Sequence, residues 1–135
     1  MSVYRSKNPY EQSFGYSRAV RRGSYIVVSG TTAIDPETGV LQHPDSAYEQ
    51  TLDIFREIFY AISQVGGSAP KDIVRVRMFV KRQEDGSEVA RAMKEMMDGH
   101  VEVAATMICG ADFVDGAMLV EIEADAIAEG KDHVD

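Results

Sequence analysis

Apolar positions alternate with polar ones in some stretches of the chain and recur every three or four residues in others. The switch between the two periods marks the elements. Tyr25-Ile26-Val27-Val28-Ser29 is a β-rich run behind an Arg22-Gly23 turn, so residues 17–33 are predicted to form a hairpin. The polar stretch before it, with Pro9 and Gly15, predicts irregular chain with a short edge strand. Asp35-Pro36-Glu37-Thr38-Gly39 is turn chemistry, because proline sets φ and glycine accepts a positive one.

The next pattern is helical. Ser46 followed by Glu49 reads as a capping box, Tyr48, Leu52, Phe55, Phe59 and Ile62 recur at helical spacing, and Gly66-Gly67 ends the run. A helix over 46–65 is predicted, lying on a sheet. Over 72–81 the period is two: Val74, Val76, Met78 and Val80 point to the helices, and Ile73, Arg75, Arg77, Phe79 and Lys81 point away. A second helix is predicted over 87–98, with Val89, Met93, Met96 and Met97 inward as core fillers. Strands at 104–109 and 118–127 close the chain, joined by the loop 110–116. In the last, Val120, Ile122, Ala124 and Ala126 form an apolar face, and Glu121, Glu123 and Asp125 line the other. The order β-β-α-β-α-β-β, with both helices on one face, is an α+β fold.

The predicted open face carries Arg75, Arg77, Glu121, Glu123 and Asp125 beside Phe79, Ala105, Met107 and Cys109. Charges interleaved with exposed apolar groups predict that copies of the chain pack these faces together.

Composition narrows the classes. The chain has 135 residues, the size of one domain, and at 44% hydrophobic it can bury a core. No apolar run approaches membrane-spanning length, and the N-terminus shows no signal-peptide core. The single Cys109 cannot form an internal disulfide, so the expected address is the cytoplasm. A net charge of −8 opposes nucleic-acid binding. The cluster Arg18, Arg21 and Arg22 is expected to be a solvated hairpin turn, and the acidic tail 129–135 a frayed end.

Little conventional site chemistry is present. His43, His100 and His133 have no zinc spacing, and there is no P-loop or dinucleotide fingerprint. Cys109 has no adjacent activating base and reads as a small strand residue. Carboxylates remain: Glu121 and Glu123, with arginines nearby, read either as an interfacial ion-pair network or as a base that activates water.

Gly15-Tyr16-Ser17-Arg18-Ala19-Val20 followed by Ile26-Val27-Val28-Ser29-Gly30, then Asp72-Ile73-Val74-Arg75-Val76-Arg77-Met78-Phe79-Val80, then Val120-Glu121-Ile122-Glu123-Ala124, resemble in order and interval the Rid (YjgF-type) family of enamine/imine deaminases. The resemblance covers nearly the whole chain. It implies a chorismate-mutase-like fold and a homotrimer with clefts between subunits. The reaction it implies is hydrolysis of reactive 2-enamine or 2-imine acids to 2-keto acids and ammonia, without metal or cofactor. It implies catalytic roles for Glu121, which would hold the attacking water, and for Tyr16 at the cleft mouth. It implies substrate contacts from Gly30, Thr31, Ala105, Thr106, Met107 and Cys109. The family's Pro-Ala-Arg-Ser/Thr motif reads here Val103-Ala104-Ala105-Thr106, so Ala105 stands at the position of the arginine that grips a substrate carboxylate; Ala90 replaces a common asparagine. A guanidinium binds a carboxylate through two charge-assisted bonds, so its loss implies a neutral, larger or differently charged substrate, unless Arg77 substitutes. The alternative is a non-catalytic trimeric module that binds a small metabolite. Nuclease or translation-inhibitor activity, reported for relatives, is disfavoured by the acidic charge.

Overall fold

The structure is a computed structural model describing residues 2–129. Its six-stranded sheet has the order β1-β2-β3-β6-β4-β5, where β1 is Ser2–Tyr4, β2 Ala19–Arg22, β3 Tyr25–Thr31, β4 Ile73–Val80, β5 Ala104–Cys109 and β6 Val120–Ile127. Only β4 and β5 run parallel; all other neighbours are antiparallel. Two long helices, α2 (Ala47–Gln64) and α3 (Gly86–Met97), cover one face, and a short α1 (Pro9–Phe14) precedes the hairpin. The predicted α+β order is therefore present, with α1 as an addition. Asn8 starts α1 by accepting the Tyr10 N–H, Pro9 takes the first position, and Gly15, at φ 79°, ends it. The tail residues 130–135 and His133 lie outside the described part.

Helix α2 begins as expected: the Ser46 hydroxyl accepts the Glu49 N–H at 3.0 Å. It ends at Gly66, whose φ is 86°. Its buried stripe coincides with the predicted one only at Phe55 and Ile62. Ile54, Phe55, Ile58, Ala61 and Ile62 are buried, whereas Tyr48, Leu52 and Phe59 are only half-buried. Polar Gln50 and Thr51 enter the core because each finds partners there. Gln50 Oε1 accepts the Leu119 N–H at 2.9 Å, and its Nε2 donates to the Ala117 carbonyl at 3.0 Å. That amide ties α2 to the chain entering β6, two residues before Glu121.

In β4, Val76, Met78 and Val80 face the core with Ile122, Ala124 and Ala126 of β6. A register shift between Ile73 and Arg75 reverses the expected alternation at the strand's start. Ile73 is buried and Val74 exposed.

The hairpin turn is Gly23-Ser24 rather than Arg22-Gly23, because Arg22 pairs with Tyr25. Gly23 has φ 59°, a conformation side chains disfavour. The arginine cluster is not a solvated turn. Arg21 is buried and donates to the Gly23 carbonyl at 2.7 Å and to the Val65 carbonyl at 3.0 Å, placing a cation at the end of α2. Arg18 is 1% exposed. Only Arg22 lies in water.

Candidate active site

Arg18 organises a cleft at the N-terminal end of β6. Its Nε donates to Glu11 Oε2 at 2.9 Å, and both side chains are fully buried. Glu11 is held in turn by the Ser6 N–H at 2.7 Å and the Ser6 hydroxyl at 2.5 Å. The rest of the guanidinium is spent on the cleft wall. Nη1 donates to the Gly30 carbonyl at 2.6 Å and to Thr31 Oγ1 at 3.2 Å, and Nη2 donates to the Tyr16 hydroxyl at 3.1 Å. A buried cation is tolerated because it is paired and each of its nitrogens is hydrogen-bonded.

The cleft is a cavity of about 420 Å³ whose lining includes Tyr16, Ser29, Gly30, Met118, Glu121 and Glu123. Glu121 leans across Gly30. A Cβ placed on Gly30 would overlap Glu121 Oε2 and lie 3.1 Å from its Cδ, so only glycine leaves the carboxylate its place. Burial pushes the Glu121 carboxyl above the ordinary carboxylate range; Arg18 pulls it back, and Glu123 adds to the rise. Among the described residues Glu121 makes no hydrogen bond or ion pair. Its neighbours are spent elsewhere. Glu123 accepts from Arg77 at 3.2 Å, and Asp125 accepts from the Tyr25 hydroxyl at 3.2 Å.

The structure therefore brings together Tyr16, Gly30 and Glu121. Thr31 is not open to the cleft: it is 1% exposed, and its hydroxyl donates to the Ser29 carbonyl at 2.8 Å while accepting from Arg18. It supports the cleft floor from behind.

Strand β5 is divided between the two sheet faces. Its register sets Thr106 beside Arg77 and Ile108 beside Phe79, on the same face as Glu121 and Glu123. Ala105, Met107 and Cys109 align with Val76, Met78 and Val80, and so lie on the helix side. The expected grouping of Ala105, Met107 and Cys109 with Phe79 is thus reversed, because a one-residue change of phase moves every side chain to the other face. The apolar members of the open face include Val3, Val20, Val27, Phe79 and Ile108. Met107 Sδ and Cys109 Sγ lie against the start of α3, where a Cβ on Gly86 would be 3.3 and 3.5 Å from them. None of the four β5 residues lines the Glu121 cleft of its own chain. Ala90, exposed on α3, is also absent from it.

Among the described residues, no group of three or more His, Cys, Asp or Glu is placed to hold a metal ion. None of their helices is long and apolar enough to cross a membrane. The sequence did not reveal Glu11 and Arg18 as a pair. Their partners, Gly30 O and Tyr16 OH among them, are set by the hairpin's register.

A mixed α+β sheet with helices on one face and a carboxylate cleft beside the β3–β6 junction is a chorismate-mutase-like architecture. Residues 7–128 match the family model described as Endoribonuclease L-PSP. The chain belongs to this family, also called YjgF or Rid. It is 34% identical over 121 residues to an uncharacterised protein of Streptomyces coelicolor, covering 90% of this chain and 87% of that one. Its fold is similar to that of a YjgF/YER057c/UK114 family member from Mycobacterium tuberculosis, with a TM-score of 0.80, 32% identity, and coverage of 93% of this chain and 98% of the other. It is also similar to a Rid family protein from Yersinia pestis, with a TM-score of 0.82, 27% identity and the coverages 93% and 98%.

Proposed function

We propose that this chain hydrolyses a small, reactive enamine or imine in a cleft completed by a second copy of itself, as a cytoplasmic homotrimer. One observation carries the reading. Glu121 is a half-buried carboxylate that makes no hydrogen bond or ion pair among the described residues, its pKa raised by burial, held beside Tyr16 over a glycine that leaves it room. A carboxylate so raised is a better base near neutral pH. It takes a proton from water while the water oxygen bonds to the C=N carbon. The same proton then passes to nitrogen to give the carbinolamine, and as its C–N bond breaks the hydroxyl proton moves to nitrogen, leaving a carbonyl compound and ammonia. An enamine first gains a proton at carbon to become the imine.

The exposed edge strand β5 and the apolar–charged face around Ile108, 51% exposed, support burial against another copy. Such a neighbour would supply Ala105, Thr106, Met107 and Cys109 to the Glu121 cleft. With Ala105 where the family motif has arginine, the substrate class is one without a free carboxylate. Arg77 donates to Glu123 at 3.2 Å, which weighs against its taking that arginine's place.

The test offers purified protein a panel of imines with and without a carboxylate, while ammonia release is measured. Turnover on the neutral members, lost in Glu121→Gln, supports the hydrolase. Carboxylate-bearing members should gain turnover in Ala105→Arg. The absent guanidinium also favours a second reading, a trimeric binder of a small metabolite. A ligand that raises the melting temperature and is recovered unchanged would favour that reading.

A further inference from the structure

A second cavity of about 690 Å³ opens on the helix side of the sheet and shares no lining residue with the Glu121 cleft. Its volume lies in the range of small-molecule sites. One wall is an aromatic pair, Tyr4 and Tyr60, set edge to face with centroids 5.5 Å apart. Beside it stands Glu57 of α2, which is 8% exposed. Carboxylates are rarely buried to this degree unless paired. Glu57 Oε2 accepts the Tyr4 hydroxyl at 3.3 Å, and this is the one hydrogen bond Glu57 makes among the described residues. Among the described residues no cation lies within ion-pair distance of it.

The remaining charges around the cavity are already occupied or in water. Asp53 holds Arg56 at 2.7 Å and His43 at 3.2 Å, and Lys7 lies 3.8 Å from Glu37. Asp35 accepts the Glu37 N–H at 2.8 Å, closing its own turn. Arg5 is exposed. Among the described residues of this cavity, Glu57 is the buried carboxylate without an ion pair, Arg18 acting on it only from beyond that distance.

We propose that this cavity binds a small primary ammonium compound, its –NH₃⁺ on the Glu57 carboxylate and its apolar body against Tyr4 and Tyr60. An ammonium supplies both the missing charge and donors for the open carboxylate oxygen. Aromatic faces also attract it, and the chain's net charge of −8 draws cations in. The geometry argues against an anionic ligand, which would meet a buried carboxylate. The inference stands on different residues from the hydrolase reading and does not depend on it.

Binding should be coupled to a proton. The groups acting on Glu57 are Tyr4 on β1, Arg18 before β2, Glu11 on α1 and Asp35 in the loop after β3, with Tyr60, Asp53 and Arg56 lining the same cavity from α2. Burial pushes the Glu57 carboxyl up to about 7 against the pull of Arg18. An ammonium binds the ionised form, so affinity rises with pH through the neutral range, by about tenfold between roughly pH 6 and pH 8.

The probe is benzylamine, titrated into the full chain by calorimetry, with benzyl alcohol and benzoate as uncharged and anionic controls. Saturable benzylamine binding is expected, tighter at the higher pH, weakened about tenfold or more by Glu57→Gln and unchanged by Glu121→Gln. Glutamine keeps an acceptor for Tyr4. Amide NMR shifts on adding benzylamine to wild-type protein provide a second readout, and they should centre on Ala33 and Tyr60. The proposal is overturned by absent saturable binding at millimolar benzylamine, by equal affinity for benzoate, or by undiminished binding to a folded Glu57→Gln variant. Shifts centred on Tyr16, or loss of binding in Glu121→Gln, would overturn it by moving the amine to the other cleft.

Discussion

The carboxylate of Glu121 occupies the volume that a side chain on residue 30 would fill, so Gly30 and Glu121 form one unit. Gly30→Ala should therefore displace the carboxylate. Glu121 ends in a flexible chain that can swing aside, so the folding cost should be small, about 1 kcal/mol or less. Hydrolysis should fall as steeply as in Glu121→Gln. Gly67→Ala is the contrast. Its Cβ would come within 2.7 Å of Ile26 Cδ1 and Ile62 Cγ2 in the core, where overpacking costs roughly 1–3 kcal/mol. Thermal melts and ammonia release on both variants separate the two effects.

The raised pKa of Glu121 has a kinetic signature. Water activation requires the ionised form, so the rate should fall as pH drops through the raised value. The acid limb of the kcat/KM profile should lie above the ordinary glutamate range. Removing Arg18, whose charge favours ionisation, should move that limb further up. A limb at or below the ordinary value would count against Glu121 as the base.

Arg18 is predicted to matter for folding first. Arg18→Met leaves Glu11 buried without its cation, at a cost of roughly 3–5 kcal/mol. At fixed protein concentration the melting midpoint should fall by about 2–4 °C per kcal/mol. Adding Glu11→Gln to Arg18→Met should recover part of the loss, because the stranded charge is gone. An additive double mutant would show that the two residues do not act as a pair.

Glu57 makes stability depend on pH. Its carboxyl titrates near 4.5 when unfolded and at about 7 when folded. Between those values the folded state holds the extra proton. Its contribution is complete below the unfolded value and is lost as pH rises through the folded one. Stability should decline across that window by an amount on the order of 2 kcal/mol. Glu57→Gln should flatten the decline, as measured by denaturant melts at several pH values.

Some of this was legible in the residues and some was not. Ser46 and Gly66-Gly67 bounded α2 because caps are local chemistry. The full buried face of α2 was not legible, because Gln50, Thr51 and Glu57 count as polar in any pattern, and only the folded chain supplies their partners. Glu121 was visible from the strict alternation of β6. Phase in β5 was not, since it depends on pairing with β4. Arg18 and Arg21 read as solvated because the Glu11 side chain and the Val65 carbonyl that receive them cannot be seen at hairpin range.

Arg18 also reaches further than its hydrogen bonds. Its charge eases the ionisation of Glu121 on the cleft side and of Glu57 on the helix side. The two carboxyls thus lie in the field of the same buried cation, one on each side of it. Losing that one charge would therefore raise the pKa of a carboxyl in each of two cavities that share no lining residue.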